Sequence, residues 1–383
     1  MADLNLTVSA GPHRRVHCPV STIVEAPEGR LVVTMTGSGE RVPCQARREG
    51  GGLRVSWIVE DLAAGETARY ELDFGGGETA DGVVLSQKED EVEVFIGGKH
   101  FTSYRFGADL VRPHLYPVVG PYGDGVTRRL IREGEGDHHH HRSIWISHGE
   151  VNGFDNWSEA PGHGRTVHRE FDALESGPVL GRVVAKGVWV GTEGWKGHGG
   201  SDALVEERAE FTFYHTPQEV RMIDLHLTLT ALNMDVLFGD TKEGGLASVR
   251  LEESMEVRAG QGGQIENATG GINEDETWGK QAAWCDYSGP VNGKRVGVAI
   301  MDHPDSFRHP TYWHVRNYGL MTANPFGLSH FYNDPKRRGY HVLSPGESLV
   351  GIYRFYIHTG DAAEGQVRER YHDFAHPPKV EVG

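Results

Sequence analysis

The run RMIDLHLTLTA at 221–231 alternates strictly, with Ile223, Leu225, Leu227, Leu229 and Ala231 on one side and Met222, Asp224, His226, Thr228 and Thr230 on the other. A period of two is that of a strand with one face in a core, and here the other face is polar enough to line a cleft. EDEVEVFIGGKHF (89–101) and RVGVAIMDH (295–303) read the same way, each ending at a turn or a polar cluster. The 52 glycines fall largely between such runs, and long amphipathic helices are almost absent. The fold class expected is therefore all-β, and 383 residues suffice for two domains or one large β-domain with a substantial core.

Two segments echo each other. LAAGETARYELDF (62–74) and LSPGESLVGIYRFYIH (343–358) both run leucine, two residues, Gly-Glu, a hydroxyl residue, then a strand. Each reads as the closing hairpin of its own β-unit, with glycine supplying the positive φ of the turn. This places a small N-terminal, sandwich-like β-domain at 1–85 and a large β-domain at 86–383. DAAEGQVRERYHDF (361–374) is the best helix candidate, with Asp361 as cap and His376-Pro377-Pro378 as stop, packing outside the sheet.

The net charge of −16, without a block of lysines or arginines, disfavours nucleic acid and anionic membranes as partners and suits a neutral or cationic small substrate, although local arginines could still clamp an acid. MADLNLTVSAGP lacks the features of a signal peptide, no segment approaches eighteen apolar residues, and Cys18, Cys44 and Cys285 form no CxxC pair. A cytoplasmic protein with reduced cysteines is expected, and a homo-oligomer is compatible.

Chemistry concentrates in a few clusters. In DHHHHRSIWISH (137–148), an extended chain would put His138, His140, Arg142 and His148 on one face and Asp137, His139, His141 and Trp145 on the other. Four consecutive histidines cannot then converge on one metal, but His138 and His140 with a distant carboxylate could hold one divalent ion such as Zn, Mn, Ni or Fe. Acid/base or hydrogen-bonding histidines fit equally well. GDTKEGG (239–245) sets Asp240, Lys242 and Glu243 in a glycine-flanked loop, either a pair tuning each other's charge or a solvated turn. MDHPDSFRHPTYWHVRNYG (301–319) carries Asp302, His303, Arg308, His309, Trp313, His314 and Arg316, and NPFG follows with Asn324. GWKGHGGSD (194–202) lacks phosphate-loop spacing and reads as a mobile flap. Trp145, Trp157, Trp195, Trp278, Trp284 and Trp313 lie in or near these clusters, as sugar-stacking platforms or as core.

DHHHHRSIW, HGEVNG, DTKEGG, WCDYSGP, DHPDSFRHPTYWHVRNYGLMTANPFG and YRFYIHTGD together resemble, in order, the blocks of the PmoA-like family of unknown function, over about 110–362. The resemblance implies a β-supersandwich like that of galactose mutarotases and a place in carbohydrate use. It does not support the label methane oxygenase, since no segment here spans a membrane. It singles out Asp137, His138, His140, His141, Arg142, Asp240, Lys242, Glu243, Asp302, His303, Arg308, His309, His314 and Arg316, with His139 at a variable position.

The expectation is a carbohydrate-active enzyme working by proton transfer beside a carbonyl or anomeric centre of a sugar or keto sugar: epimerisation, β-elimination or hydration. His138, His140, His141, Arg142, Lys242, Glu243, His303, His309, His314 and Arg316 are the catalytic candidates. Asp137, Trp145, His148, Asn152, Trp157, Asp240, Asp302, Arg308, Trp313 and Asn324 are the substrate-binding ones. One histidine would be base, another or Glu243 acid, and Arg142 or Arg316 would face the oxyanion. The alternatives are a glycoside hydrolase with two carboxylates from Asp224, Asp240, Glu243 and Asp302, a non-catalytic carbohydrate-binding protein, and a metal-dependent oxygenase.

Overall fold

The computed structural model describes residues 4–25, 32–75, 82–197 and 200–383. Antiparallel sheets dominate it, as the alternation requires. Two eight-stranded sheets face each other. The first runs, edge to edge, Trp313–Arg316, Leu320–Ala323, Gly244–Arg250, Ile144–His148, His114–Val118, Lys99–Arg105, Glu91–Ile96 and Val83–Gln87. The second runs Arg165–Glu175, Leu180–Val190, Ala203–Tyr214, Val220–Ala231, Ser348–Thr359, Lys294–Asp302, Trp284–Val291 and Gln264–Asn267. Ile223, Leu225, Leu227, Leu229 and Ala231 all enter the core between them. On the opposite face Asp224 is taken up by Arg354 and Tyr214, with Arg354 over the Phe374 ring, so a helix covers this end of the face, while His226 beyond it is exposed.

The N-terminal residues form two smaller sheets with their own core of Leu6, Val8, Val20, Val55, Trp57 and Leu72. The end of the chain returns here: Lys379–Val382 pairs with Leu4–Ser9. Helix Val367–Ala375 lies outside the second sheet, with Tyr371 and Phe374 against Met222, Trp284 and Tyr356. It starts later than the sequence suggests, because Asp361 accepts from the amides of Ala363 and Glu364 and caps a preceding turn instead.

The paired Gly-Glu turns are alike in detail. Gly65 and Gly346 sit at φ +79° and +83°, and Glu66 and Glu347 donate to Ala63 and Ser344. Neither closes a hairpin. Thr67–Phe74 pairs with Leu4–Ser9 and Val33–Gly37, and Ser348–Thr359 with Val220–Ala231 and Lys294–Asp302. Each turn carries the chain from one sheet into an interior strand of another, where partners distant in sequence bury more apolar surface than a local hairpin would. Within the glycine-rich 194–202 segment, residues 198 and 199 lie outside the described residues; Trp195 packs on Phe154, and Lys196 pairs with Asp202 at 3.0 Å.

Candidate functional site

The outer face of the first sheet carries the chemistry. Leu115, Ile144, Val249, Met321 and Val315 are cross-strand neighbours pointing into the core, and the adjacent row facing outward is His114, Trp145, Ser248, Thr322 and His314. One register step therefore separates an apolar stripe from a polar one. Ser248 and Thr322 join hydroxyls at 2.7 Å, and Trp145 Nε1 donates to Ser147 Oγ at 2.9 Å.

The histidine run covers this face as a turn, not as the extended strand expected. His138 has φ +49°, His141 N donates to His138 O, and the strand begins only at Ile144. The turn removes the two-sided separation and brings the imidazoles together. His138 stacks on His141 (4.7 Å between centroids) and on Tyr318 (4.9 Å); His141 stacks on Trp145 (5.4 Å), with His140 and Trp157 edge-on to it. A metal fits these residues poorly. The rings of His138 and His140, the expected ligand pair, meet edge-on at 70° with centroids 5.7 Å apart, and among the described residues no three His, Cys, Asp or Glu side chains are grouped to hold an ion with them.

Arginines hold the turn. Asp137 accepts from Arg128 (2.9 Å), Arg250 (3.3 Å) and Arg258 (3.1 Å), and lies 3.4 Å from His138 Nδ1. Arg250, fully buried, also reaches Glu256 at 3.0 Å and donates to His141 Nδ1 at 3.4 Å. Beyond the turn, Glu159 takes both Arg112 (3.2 Å) and Arg142 (3.0 Å) and stands 3.9 Å from His139. Arg250, Arg258 and Arg316 all lie over the Tyr318 ring, at 4.9, 5.4 and 5.5 Å.

His314 joins from the neighbouring strand. Trp278 Nε1 donates to its Nδ1 at 2.9 Å, so the neutral ring carries its proton on Nε2. Burial, then the charges of Arg316, Lys242 and His138, push its pKa down to about 3. Burial and Arg112 likewise push His140 to about 3, burial and His140 hold His141 well below the usual range, and burial lowers half-exposed His138 against the pull of Asp137. At neutral pH these imidazoles are uncharged.

Thus His138, His140, His141, Trp145 and Trp157 come together, with Arg316 over the shared Tyr318 ring, His314 in the same outward row as Trp145, and Arg142 at the Glu159 side. Lys242 pairs with Glu243 at 3.2 Å on the rim, both partly exposed. The remaining candidates are committed elsewhere. Asp240 accepts from the amides of Ser329 and Gly339; Asn324 holds the carbonyls of Thr241 and Lys242; Asn152 bonds Asp235 O and Leu237 N. His148 Nε2 donates to Gly239 O, Trp313 Nε1 to Ala282 O, and Arg308 ties the carbonyls of Pro325, Gly339 and Tyr340. His303 lies against Phe374, and Asp302, fully buried, accepts from His309 Nδ1 (2.8 Å) and Thr311 N (2.9 Å). No contact among the described residues joins this Asp302–His309 pair to the histidine turn, nor any two of Asp224, Asp240, Glu243 and Asp302 to each other. Two cavities lie away from the turn. One of about 510 Å³ lies between the N-terminal sheets and Pro178–Pro217, and one of about 640 Å³ is lined by Phe106, Asp109 and His168.

Sequence reasoning missed Arg112, Arg128, Glu159, Arg250, Glu256, Arg258, Tyr318, Glu274, which pairs with Arg316 Nε at 2.8 Å, and, as a tautomer-setting donor, Trp278. One signal was available: Arg250 interrupts the otherwise uncharged LASVRL strand.

With this geometry in view, the model of DUF6807, a family of unknown function, matches residues 91–372. The chain belongs to that family. The match carries no link to PmoA. No curated protein matches the sequence. Among solved structures the chain is similar to a protein in glycosyl hydrolase family 38 from Enterococcus faecalis (10% identity, TM-score 0.52), covering 100% of this chain and 47% of that one. It is also similar to an alpha-mannosidase from Enterococcus faecalis V583 (9% identity, TM-score 0.51, 100% and 46% covered). A GalM/aldose epimerase homologue from C. elegans gives 11% identity and a TM-score of 0.31, over 73% of this chain and 100% of that one. The chain thus spans about half the length of the first two, and the likeness is one of fold. Among the described residues no helix is long and apolar enough to cross a membrane.

Proposed function

We propose that this protein is an enzyme that moves a proton beside the carbonyl or anomeric carbon of a small sugar or keto sugar, the reaction class of epimerases, lyases and hydratases. The observation that carries the reading is the Trp278–His314 bond. It fixes a neutral imidazole with its proton on Nε2, in the electrostatic reach of Arg316 and Lys242. A neutral imidazole with a fixed N–H polarises a carbonyl oxygen, and neighbouring cations stabilise the enolate-like charge that follows. His138, partly exposed and held at Nδ1 by Asp137, is the base. The imidazolium formed at His138 then returns the proton, which balances the transfer. His140 and His314, with values near 3, are hydrogen-bond partners at neutral pH rather than acids.

The fold shared with a glycosyl hydrolase family 38 protein and an alpha-mannosidase, and the motif resemblance to PmoA-like proteins, support a carbohydrate ligand in preference to nucleic acid or membrane. A paired-carboxylate hydrolase has less support, because Asp224, Asp240 and Asp302 are bound elsewhere and Glu243 is left without a second carboxylate in contact.

The test is solvent deuterium exchange and product mass across a panel of sugars and 3-keto sugars, with His138→Ala and His314→Ala alongside. Exchange in the wild type, lost about a hundredfold or more in both variants, is expected. A protein that binds a sugar yet gives no exchange, mass change or hydrolysis would be a binding module instead.

A further inference from the structure

The whole-chain charge of −16 favours a neutral or cationic ligand, but the charges beside the histidine turn are arranged the other way. Three guanidiniums, those of Arg128, Arg250 and Arg258, share two carboxylates, Asp137 and Glu256. Both carboxylates are saturated: Asp137 takes all three arginines, and Glu256 takes Arg250 and Arg258. On the other flank Arg112 and Arg142 share the single carboxylate of Glu159. Each knot therefore holds one more guanidinium than carboxylate in direct pairing.

The unpaired atoms point the same way. Arg128 Nε, Arg250 Nε and His141 Nε2 are buried without a partner among the described residues. Since His141 Nδ1 accepts from Arg250, all three are donors, so the first knot is short of acceptors. The field registers at the imidazoles: besides burial, the cations acting on His141 are Arg250 and Arg128, and those on His314 are Arg316 and Lys242, all of which disfavour a further positive charge. A site that keeps its histidines neutral beside knots with more guanidiniums than directly paired carboxylates is complementary to an anion. Two of the arginines over Tyr318 reach solvent, Arg258 being 50% and Arg316 30% exposed.

Resting on the proton-transfer reading of this site, we propose that its substrate is an anionic sugar, whose carboxylate or phosphate docks against Arg258 and Arg316 beside Tyr318 while the sugar ring reaches His138 and His314. Arg258 uses Nε and Nη2 on Glu256 and Asp137 and Arg316 uses Nε on Glu274, which leaves Arg258 Nη1 and the terminal nitrogens of Arg316 to donate to the anion.

The experiment measures binding by calorimetry of glucose, glucuronate, gluconate and glucose 6-phosphate to the wild type, to Arg258→Gln and to the Arg258→Gln/Arg316→Gln double variant, at low and high salt. At least one acidic sugar should bind tenfold or more tighter than glucose. The advantage should shrink with salt, weaken in the single variant and vanish in the double. The carboxylate and phosphate arms then identify which anion is preferred. Glucose binding as well as the acids, or an acid preference that survives in the double variant, overturns the inference and leaves the proton-transfer reading standing. An acid preference without deuterium exchange on any bound sugar overturns that reading and leaves anion selection standing. Failure of every sugar to bind overturns both. Circular dichroism of each variant checks that these partly exposed replacements keep the fold.

Discussion

Replacing Trp278 with Phe removes one N–H and keeps a ring against the edge of Phe331, which the indole meets at 5.3 Å. The lost donor bonds His314 Nδ1 at 2.9 Å, and His314 is only 4% exposed, so water cannot readily take its place. An unpaired buried acceptor costs about 1–3 kcal/mol, and the smaller ring adds up to about 1 kcal/mol of lost packing. The free energy of unfolding should fall by about 2–3 kcal/mol, read from urea titrations. The chemical consequence is more specific. Without the indole the imidazole proton is free to move to Nδ1, and Nε2 ceases for part of the time to be a donor. If His314 polarises a substrate carbonyl, kcat should drop about ten- to a hundredfold, short of the full loss of an oxyanion donor, with KM little changed. Nitrogen-15 NMR of histidine-labelled protein reads the tautomer directly, with or without substrate. The wild type should show His314 protonated at Nε2 and the variant a mixture. A variant with the wild-type tautomer, or one with a mixed tautomer and undiminished turnover, refutes this account of the site.

Glu207 projects into the core between the two large sheets with Trp189 Nε1 as its donor at 2.7 Å, and burial pushes its pKa up to about 7. Its folded value lies above its unfolded one, so its contribution to stability is lost as pH rises from about 4.5 through 7. Glu207→Gln, which keeps an acceptor for Trp189, should raise the unfolding free energy by about 1–3 kcal/mol at pH 8 and by little at pH 4.5; an equal effect at both pH values would contradict it. The opposite sign holds for His114 and His314, both pushed by burial to about 3, and for His148, pushed to about 4. Their folded values lie below their unfolded ones, so their contribution is present above about pH 6.5 and lost as pH falls toward 3–4, each at up to about 1.4 kcal/mol per pH unit. Denaturation midpoints should fall steadily from pH 7 to 5, and flat midpoints over that range would show that these imidazoles protonate without unfolding.

The strands were legible because alternation reports burial directly: Ile223, Leu225, Leu227 and Leu229 had to share a face, and that face had to find a core. Local rules also placed the Gly65 and Gly346 turns, since a positive φ is a property of the residue and its immediate neighbours. The same rules misassigned what those turns connect, because pairing partners such as Leu4–Ser9 for Thr67–Phe74 and Lys294–Asp302 for Ser348–Thr359 are set by long-range burial. In the site, residue types marked His138, His140, His141, Lys242, His314 and Arg316, but parity along an extended chain separated histidines that a turn with His138 at φ +49° brings into contact. The sequence by itself determined an all-β chain and a stock of titratable groups. Only the tertiary structure decided which of them meet, which arginines surround them and which way His314 holds its proton. Charge state and tautomer depend on desolvation and on partners such as Arg250 and Trp278, scores of residues apart along the chain and adjacent only once the sheet has formed.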